Sequence, residues 1–188
     1  MTAVTPHDIE EPNRYIGDRL LAERWHARQL PPPGNPGARW TLTDPGRRIR
    51  LVMGYDLDGR FAEITAVHLP GSAHTSPLWK AWVTTGQPEA VLAAARQAAA
   101  SPDPEEPGAA RRALTRTMRA SGWHPTASRI AAWAWADATW TSPERRTVVT
   151  FIARSRRGPG GWEIASAGSY AEAEPAVPAG VLLTLAGA

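Results

Sequence analysis

The sequence contains no cysteine, which excludes disulfide bonds, thiolate metal sites and a cysteine nucleophile. It has no apolar run near the ~20 residues that a membrane helix needs, because the longest candidate, AVPAGVLLTLAGA, has 13. The leading MTAVTPHDIEEP is acidic and has no apolar centre, unlike a signal peptide. These absences predict a protein of the cytoplasm that does not bind membranes.

Lysine is nearly missing, since Lys80 is the only one among 21 basic side chains. Codon usage in a GC-rich genome is the simpler explanation, because alanine, glycine and proline are also abundant. The alternative is selection for the guanidinium group, which pairs bidentately with phosphate and stacks on rings. The net charge of +3 is unevenly distributed, because six acids lie in the N-terminal tail and in a Pro-rich segment: Asp8, Glu10, Glu11, Asp103, Glu105 and Glu106. Without them, nine excess positive charges remain on the parts expected to fold.

Short motifs recur in the same order about 100 residues apart, which indicates an internal repeat. The matched motifs are Trp25-His26 with Trp123-His124, Trp40-Thr41 with Trp140-Thr141, PGRR from Pro45 with PERR from Pro143, and Glu63-Ile64 with Glu163-Ile164. Ahead of each Trp-His motif, apolar residues four apart predict a short helix. These residues are Ile16 and Leu20 in the first copy, Leu114 and Met118 in the second. The β-branched run after each Arg-Arg predicts a strand, and DLDG and RGPGG predict hairpin turns.

We therefore predict an α+β protein made of two tandem pseudo-symmetric repeats, each a curved antiparallel sheet of about four strands with flanking helices. The predicted boundaries are an acidic N-terminal tail over 1–12, a first repeat over 13–100, a Pro-rich acidic linker over 101–109 and a second repeat over 110–188. By analogy of fold alone, this arrangement is similar to the PUR-repeat, Whirly and PC4-type nucleic-acid binders.

The ordered set Trp-His, Trp-Thr, Pro-x-Arg-Arg and Glu-Ile, with PLWKAW from Pro77 to Trp82, resembles an actinobacterial family: domain of unknown function three hundred and seventeen. Members of that family often carry two such units. The second copy departs from the pattern, because YAEAEPAVP stands where PLWKAW would be, so no role of Trp79 or Trp82 carries over to it. The resemblance implies no established activity. PLWKAW itself suits either a partner-binding loop or a lid over the first core.

Alternation along the predicted strands decides which side chains face the core. The predicted core face carries Ile49, Leu51, Met53 and Tyr55 in the first copy and Thr147, Val149, Phe151 and Ala153 in the second. The opposite face carries Arg48 and Arg50 in the first copy and Arg146, Arg154 and Arg156 in the second. We therefore expect one apolar face and one basic face on each sheet.

The strand WAWADATW is the most informative of these. Trp140 aligns with Trp40 and is expected in the core. If the strand has no bulge, Trp133 and Trp135 lie at odd offsets from Trp140 and face outward beside the arginines, whereas a bulge would return them to the core. Packing against the other repeat or a second subunit is the plainer explanation for such a surface. The alternative is stacking of unpaired bases, which is worth ~1–3 kcal/mol per base.

No motif predicts catalysis, a metal or a cofactor. His26 and His124 are more simply strand-start residues beside tryptophan than a two-His metal site, because such a site needs further ligands. Glu63 and Glu163 are more simply partners of an arginine on the adjacent strand than a general acid and base. DLDG lacks a ligand of a calcium loop, and RRGPGGWE lacks the GxxxxGK[ST] pattern of a phosphate loop.

We therefore predict a non-enzymatic nucleic-acid-binding protein without a cofactor, with DNA expected ahead of RNA. The predicted contact residues are Arg48, Arg50, Trp133, Trp135, Arg146, Arg154, Arg156 and Arg157. The alternative is a protein-interaction or homodimeric assembly module that buries the same Trp-rich face. A third alternative is a small aromatic or anionic ligand bound between the repeats.

Overall fold

The computed structural model describes residues 6–30, 39–56, 59–69, 71–72, 74, 76–85, 87–126, 136–155 and 158–187. Within them the chain is an α+β protein with four helices and ten strands. The helices are α1 (Pro6–Ala22), α2 (Pro88–Ala100), α3 (Pro107–Ala120) and α4 (Ala179–Ala186). The strands are β1 (His26–Gln29), β2 (Trp40–Thr43), β3 (Ile49–Asp56), β4 (Gly59–Ala66), β5 (Trp79–Thr85), β6 (His124–Thr126), β7 (Ala136–Thr141), β8 (Thr147–Ser155), β9 (Gly158–Ser166) and β10 (Ser169–Ala173). In this part of the chain no helix is long and apolar enough to cross a membrane.

All ten strands belong to a single antiparallel sheet with the order β1-β2-β3-β4-β5-β10-β9-β8-β7-β6. The strands β5 and β10 pair at its centre, where Trp82 lies opposite Glu172, and the short strands β1 and β6 form its edges. Each half of the chain runs helix, five strands, helix. From the centre outwards, β10 to β6 follow one another as β5 to β1 do, so the two halves have the same strand order.

Five strands in each half replace the four that the sequence predicted. The edge strands β1 and β6 begin at His26 and His124, which were predicted to start strands, so the additional strand of each half is the central one, β5 or β10. The PLWKAW segment is neither a loop nor a lid, because its Trp79 opens the central strand β5. The dissimilar YAEAEP segment supplies the strand that pairs with it, β10.

The helices and one face of the sheet share a single hydrophobic core. At its centre Leu51, Ile64 and Ala81 are neighbours in register on three successive strands, and all are buried. The predicted helical stripes of α1 and α3 are confirmed, since their four apolar residues are at most 1% exposed: Ile16, Leu20, Leu114 and Met118. Amphipathic patterning thus correctly assigned the buried side of both helices.

The predicted core face of the strands is confirmed at most described positions. Five of its members are buried: Ile49, Leu51, Met53, Val149 and Phe151. Two described members are not buried: Thr147 is half-buried, and Tyr55 is 39% exposed. Tyr55 lies at the hairpin end of β3 opposite Arg60, one residue before the strand ends at Asp56, beyond the buried residues of the strand.

The turns after β2 and β7 have the same hydrogen bonding. The Arg47 N–H donates to Asp44 O at 2.9 Å, and the Arg145 N–H donates to Ser142 O at 2.8 Å. Both arginines have a positive φ, of 58° and 56°. Asp44 and Ser142 therefore begin equivalent turns of equal length.

This turn register corrects the alignment of Trp140 with Trp40. Trp140 lies two residues before Ser142 and pairs with Val149, as Leu42 pairs with Leu51 on the other half of the sheet. Trp140 therefore takes the place of Leu42 in the core, where it is buried as predicted. The shift of two residues leaves it on the same face of its strand, because side chains alternate with a period of two.

The predicted tail and linker are both structured in part. Helix α1 begins at Pro6, so residues 6–12 of the predicted tail are helical. Within the predicted linker, the Glu105 carboxylate accepts a hydrogen bond from Ala179 N–H at 2.8 Å. Glu106 caps α3 by accepting from two N–H groups of its first turn, and these bonds lower the pKa of its carboxyl group. Glu105 and Glu106 thus bind the N-terminal ends of α4 and α3, respectively.

Candidate functional site

The face of the sheet opposite the helices carries a groove of about 480 Å³ over strands β2 to β5. It is lined by Arg39, Thr41, Arg50, Val52, Phe61, Glu63 and Trp82. One row across the sheet forms its floor, because Thr41 pairs with Val52, Val52 with Glu63, and Glu63 with Trp82. Antiparallel pairing therefore gathers side chains from four strands into one surface, on the face that alternation turns away from the core.

Phe61 forms a wall of the groove and is covered by a cation. It is only 8% exposed, and the Cζ atom of Arg39 lies 5.5 Å from the centroid of its ring. Gly54, directly opposite on β3, makes room for the ring, because a Cβ atom there would lie 2.9 Å from Phe61 Cε1. Glycine weakens the middle of a strand, so its presence here is explained by this close approach.

The groove combines two guanidinium groups with one carboxylate. Glu63 Oε1 accepts a hydrogen bond from Thr65 Oγ1 at 2.9 Å and lies 4.0 Å from Lys80 Nζ. Arg50 is exposed and has no ion-pair partner among the described residues. The groove therefore offers positive charge beside aromatic rings, which suits an anion that carries a planar group.

The corresponding surface of the second half is acidic near the centre of the sheet. Glu172 pairs with Trp82 on one side and with Glu163 on the other. Burial, and secondly the Glu172 carboxylate, raises the pKa of Glu163. Burial also raises the pKa of Tyr170, whose hydroxyl donates to Glu172 Oε1 at 2.9 Å. The prediction that Glu163 pairs with an arginine on the adjacent strand is therefore wrong. Its partner on β10 is a second carboxylate, that of Glu172.

Three of the predicted contact arginines have described surroundings, and only Arg50 lines the groove. Arg48 Nη2 lies 2.5 Å from Asp103 Oδ1, and its side chain is 21% exposed. Arg48 precedes the first residue of β3 and forms an intramolecular ion pair with the exposed Asp103 between α2 and α3, so it does not line the groove. Arg146 is exposed in the turn before β8 and does not line the groove.

The other predicted contact residues are largely undescribed. Four lie outside the described residues: Trp133, Trp135, Arg156 and Arg157. Arg154 belongs to β8, where its backbone lies opposite Pro159. The pairing of β7 is irregular between Ala136 and Ala138. The alternation of side chains is interrupted there. Counting back from Trp140 therefore cannot show which face of the sheet Trp133 and Trp135 occupy.

Of the seven groove residues, sequence reasoning predicted only Arg50 as a contact residue, and it missed the three that carry the remaining guanidinium group and the aromatic rings: Arg39, Phe61 and Trp82. A signal was present for Phe61 and Trp82, because each alternates with core residues in its strand: Phe61 precedes the buried Ala62, and Trp82 precedes the buried Val83. No local pattern pointed to Arg39, which directly precedes β2.

The two matched histidines begin the edge strands. His26 and His124 are exposed, whereas Trp25 and Trp123 directly before them are buried. This agrees with the prediction of strand-start residues beside tryptophan. Nothing in the sheet pairing brings the two imidazoles together, since β1 and β6 lie at opposite edges. The described residues contain no group of three or more side chains arranged to hold a metal.

Comparison with known proteins adds no relative: no protein-family model matches the chain, and no curated protein or solved structure is significantly similar to it. The resemblance to domain of unknown function three hundred and seventeen therefore stays a prediction. What defines the protein is its α+β class, with one ten-stranded antiparallel sheet and a groove on the open face.

Proposed function

We propose that this chain is a non-enzymatic protein that binds single-stranded nucleic acid through the groove on β2 to β5. The observation that carries the proposal is the presence of two guanidinium groups and two aromatic rings in one groove. Unpaired bases stack on aromatic side chains, and guanidinium groups bind phosphate oxygens bidentately. In this proposal Trp82 stacks on a base, while Arg39 and Arg50 contact phosphates.

The size and polarity of the groove favour unpaired bases over a duplex. A volume of about 480 Å³ falls within the range of sites that enclose a small ligand. A duplex keeps its bases stacked on one another, so it offers Trp82 no free ring face. Glu63 lies beside Trp82 and is suited to accept a hydrogen bond from the exocyclic amino group of cytosine. We therefore expect cytosine to be preferred over thymine.

We also propose that the two halves are copies of one unit, in an arrangement similar to that of the PUR-repeat, Whirly and PC4-type binders. The identical element order of the halves supports this, as do the equivalent turns that place Arg47 and Arg145 in the same left-handed conformation. A duplicated sheet explains why a single sheet reaches ten strands. Among the described residues, the groove lies in the first copy.

The proposal is tested first by the stacking contact. Fluorescence anisotropy of a labelled single-stranded DNA should show that Trp82→Ala weakens binding about fivefold to 150-fold, the equivalent of ~1–3 kcal/mol. Trp82→Phe keeps a ring in the groove and should retain most of the affinity. Thermal unfolding should show both variants folded, because Trp82 lies on the open face and not in the core.

The phosphate contact is tested by salt dependence. Arg50→Ala should lower the log–log slope of affinity against salt by ~0.7, the value expected for one phosphate contact to a single strand. Arg146→Ala, which removes an exposed arginine outside the groove, should leave the slope unchanged. Absence of binding to single-stranded DNA, duplex DNA and RNA at micromolar protein, or a flat salt profile, would overturn the proposal.

A homodimeric assembly module is the second candidate, and the open face of β8 favours it. Val148 and Ile152 leave part of their apolar surface exposed there, on either side of Thr150. Light scattering should then give twice the chain mass of 20.3 kDa, and Ile152→Asp should return the protein to a monomer. Trp82→Ala would leave that mass unchanged.

A further inference from the structure

A second cavity, of about 330 Å³, lies at the β1 edge of the sheet. We call it the edge cavity; it is lined by His26, Ala27, Arg28, Thr43 and Arg47. No carboxylate lines it, and within the described part of the chain neither guanidinium group has an ion-pair partner. The cavity therefore concentrates positive charge with hydrogen-bond donors and a hydroxyl group.

The carboxylate nearest along the chain does not neutralise this charge. Asp44 follows Thr43, but its side chain accepts hydrogen bonds from the N–H groups of Gly46, Arg48 and Ile49 at 2.8, 2.7 and 2.6 Å. Asp44 is also only 3% exposed. Its oxygens thus satisfy the backbone of the turn and are not directed at the cavity.

Both cavity arginines occupy irregular backbone positions. Arg47 has a φ of 58°, a left-handed conformation that costs a residue with a side chain ~1–2 kcal/mol relative to glycine. Arg28 lies in the irregularity of β1, between Ala27 and Gln29, where it has no partner in the register with β2. The two guanidinium groups thus line the same cavity from two different elements, the edge strand β1 and the turn after β2.

The edge cavity adjoins the groove across strand β2. Thr43 pairs with His26 on one side and with Arg50 on the other, so these three residues form one row on the open face. Arg50 lines the groove and Thr43 lines the cavity. From β1 to β5 the surface spans four strand spacings, about 19 Å, which is longer than a single nucleotide.

We propose that the edge cavity is a phosphate subsite, which binds a phosphodiester group of the strand whose base stacks on Trp82. This rests on the proposed function. Arg28 and Arg47 supply the guanidinium donors for the non-bridging oxygens, and the Thr43 hydroxyl adds a further donor. The bound strand then runs across the sheet, with a base at the centre and a phosphate at the β1 edge.

The experiment compares Arg47→Gly with Arg145→Gly. Both substitutions remove one positive charge and place glycine where φ is 58° or 56°, so both should fold as the unaltered chain does. With a labelled oligocytidylate, Arg47→Gly should weaken binding about tenfold, as expected for loss of one charge-assisted hydrogen bond, and lower the salt slope by ~0.7. Arg145→Gly should change neither quantity.

Arg28→Ala tests the same cavity from a different element and should act in the same direction as Arg47→Gly. If the unaltered chain binds and Arg47→Gly and Arg145→Gly weaken it equally, the effect is one of net charge and the subsite is refuted. Unchanged binding by both Arg47→Gly and Arg28→Ala also refutes it, while leaving the groove in place. If the unaltered chain binds no single strand, the proposed function fails and the subsite fails with it.

Discussion

The two halves of the sheet have matching buried residues on the face that packs against the helices. On the open face their residues differ. On the helix side, Ile64 and Ile164 occupy matching positions opposite Leu51 and Val149, and both are buried. On the open side, Trp82 of the first half stands at the centre of the sheet against Glu172 of the second. Packing restricts only the core face, because every side chain there must fit its neighbours.

This difference indicates that two halves with the same strand order need not carry the same site. The residues that line the groove and the edge cavity lie in residues 26–82, whereas six of the eight contact residues predicted from sequence lie in the second half. Near the centre, the second half instead brings Glu163 and Glu172 together, which would repel phosphate. Matched substitutions in the two halves can measure this difference in stability, binding and pH dependence.

The largest expected effect concerns the most deeply buried indole of each half. Trp79 and Trp162 are both at most 1% exposed. Trp79→Ala and Trp162→Ala should each lower the free energy of unfolding by ~3–5 kcal/mol, because each leaves a large cavity in the core. Urea denaturation measures both values. A loss below 1 kcal/mol in one half would show that this half contributes little to the shared core.

Replacing the same two tryptophans with phenylalanine compares the contributions of their Nε1–H groups to stability. Trp79 Nε1 donates to Pro102 O at 3.0 Å, whereas Trp162 Nε1 is buried without a partner among the described residues. Trp79→Phe leaves a carbonyl without its donor, while Trp162→Phe removes an unsatisfied donor. Trp79→Phe should therefore cost ~1 kcal/mol more than Trp162→Phe in the same denaturation series. Equal losses would contradict this account.

A smaller effect is expected at two of the strand glycines, Gly54 in β3 and Gly161 in β9. A Cβ at Gly161 would lie 2.8 Å from the backbone oxygen of Ala173, and a Cβ at Gly54 would lie 2.9 Å from the ring of Phe61. Backbone of the central strand β10 yields less readily than a ring, so Gly161→Ala should destabilise more, by ~1–3 kcal/mol. Thermal unfolding gives the order, and a greater loss for Gly54→Ala would reverse it.

Nucleic-acid binding should be weakened more by Gly54→Ala than by Gly161→Ala. Gly54→Ala displaces Phe61 and with it Arg39, whose Cγ would lie 3.3 Å from the new Cβ, so it disturbs the groove directly. Gly161→Ala alters the other half of the sheet. Anisotropy titrations should show weaker binding for Gly54→Ala at a temperature where both variants are folded.

The smallest effect is the pH dependence that the carboxylate pair contributes. The pKa of Glu163 is raised, so its contribution to stability is fully present below its ordinary value of 4.5 and is lost as the pH rises through the raised pKa. Glu163→Gln removes this loss and should be more stable than the unaltered chain at neutral pH, by less than ~1 kcal/mol for a partly exposed group. Below pH 4.5 the difference should shrink towards zero.

Glu63→Gln is the control in the first half. Lys80 Nζ lies 4.0 Å from Glu63 Oε1, so the amide would lose an attraction and gain nothing at neutral pH. Thermal melts of both variants across the pH range measure the contrast. A gain in stability for Glu63→Gln equal to that for Glu163→Gln would show that the two carboxylates have similar surroundings.

Local patterns predicted the elements well and their junctions poorly. The buried stripes of α1 and α3 followed from apolar residues four apart, and the core face of β3 followed from alternation. The alignment of Trp140 with Trp40 was wrong by two residues, because it matched the Trp-Thr pairs and not the turns. In both turns the first side chain, of Asp44 or Ser142, accepts hydrogen bonds from the N–H groups four and five residues later. The central strands β5 and β10 were missed, because PLWKAW was predicted as a loop or a lid and the segment YAEAEPAVP does not resemble it.

By itself, the sequence determined which side of each helix and strand is buried, since that choice depends on the spacing of apolar residues within one element. Only the tertiary structure decided that β5 and β10 meet at the centre, that Arg48 pairs with Asp103, and that the groove lies in the first half. These features depend on partners distant in sequence. An isolated segment has no physical preference among such partners until the chain closes around a common core.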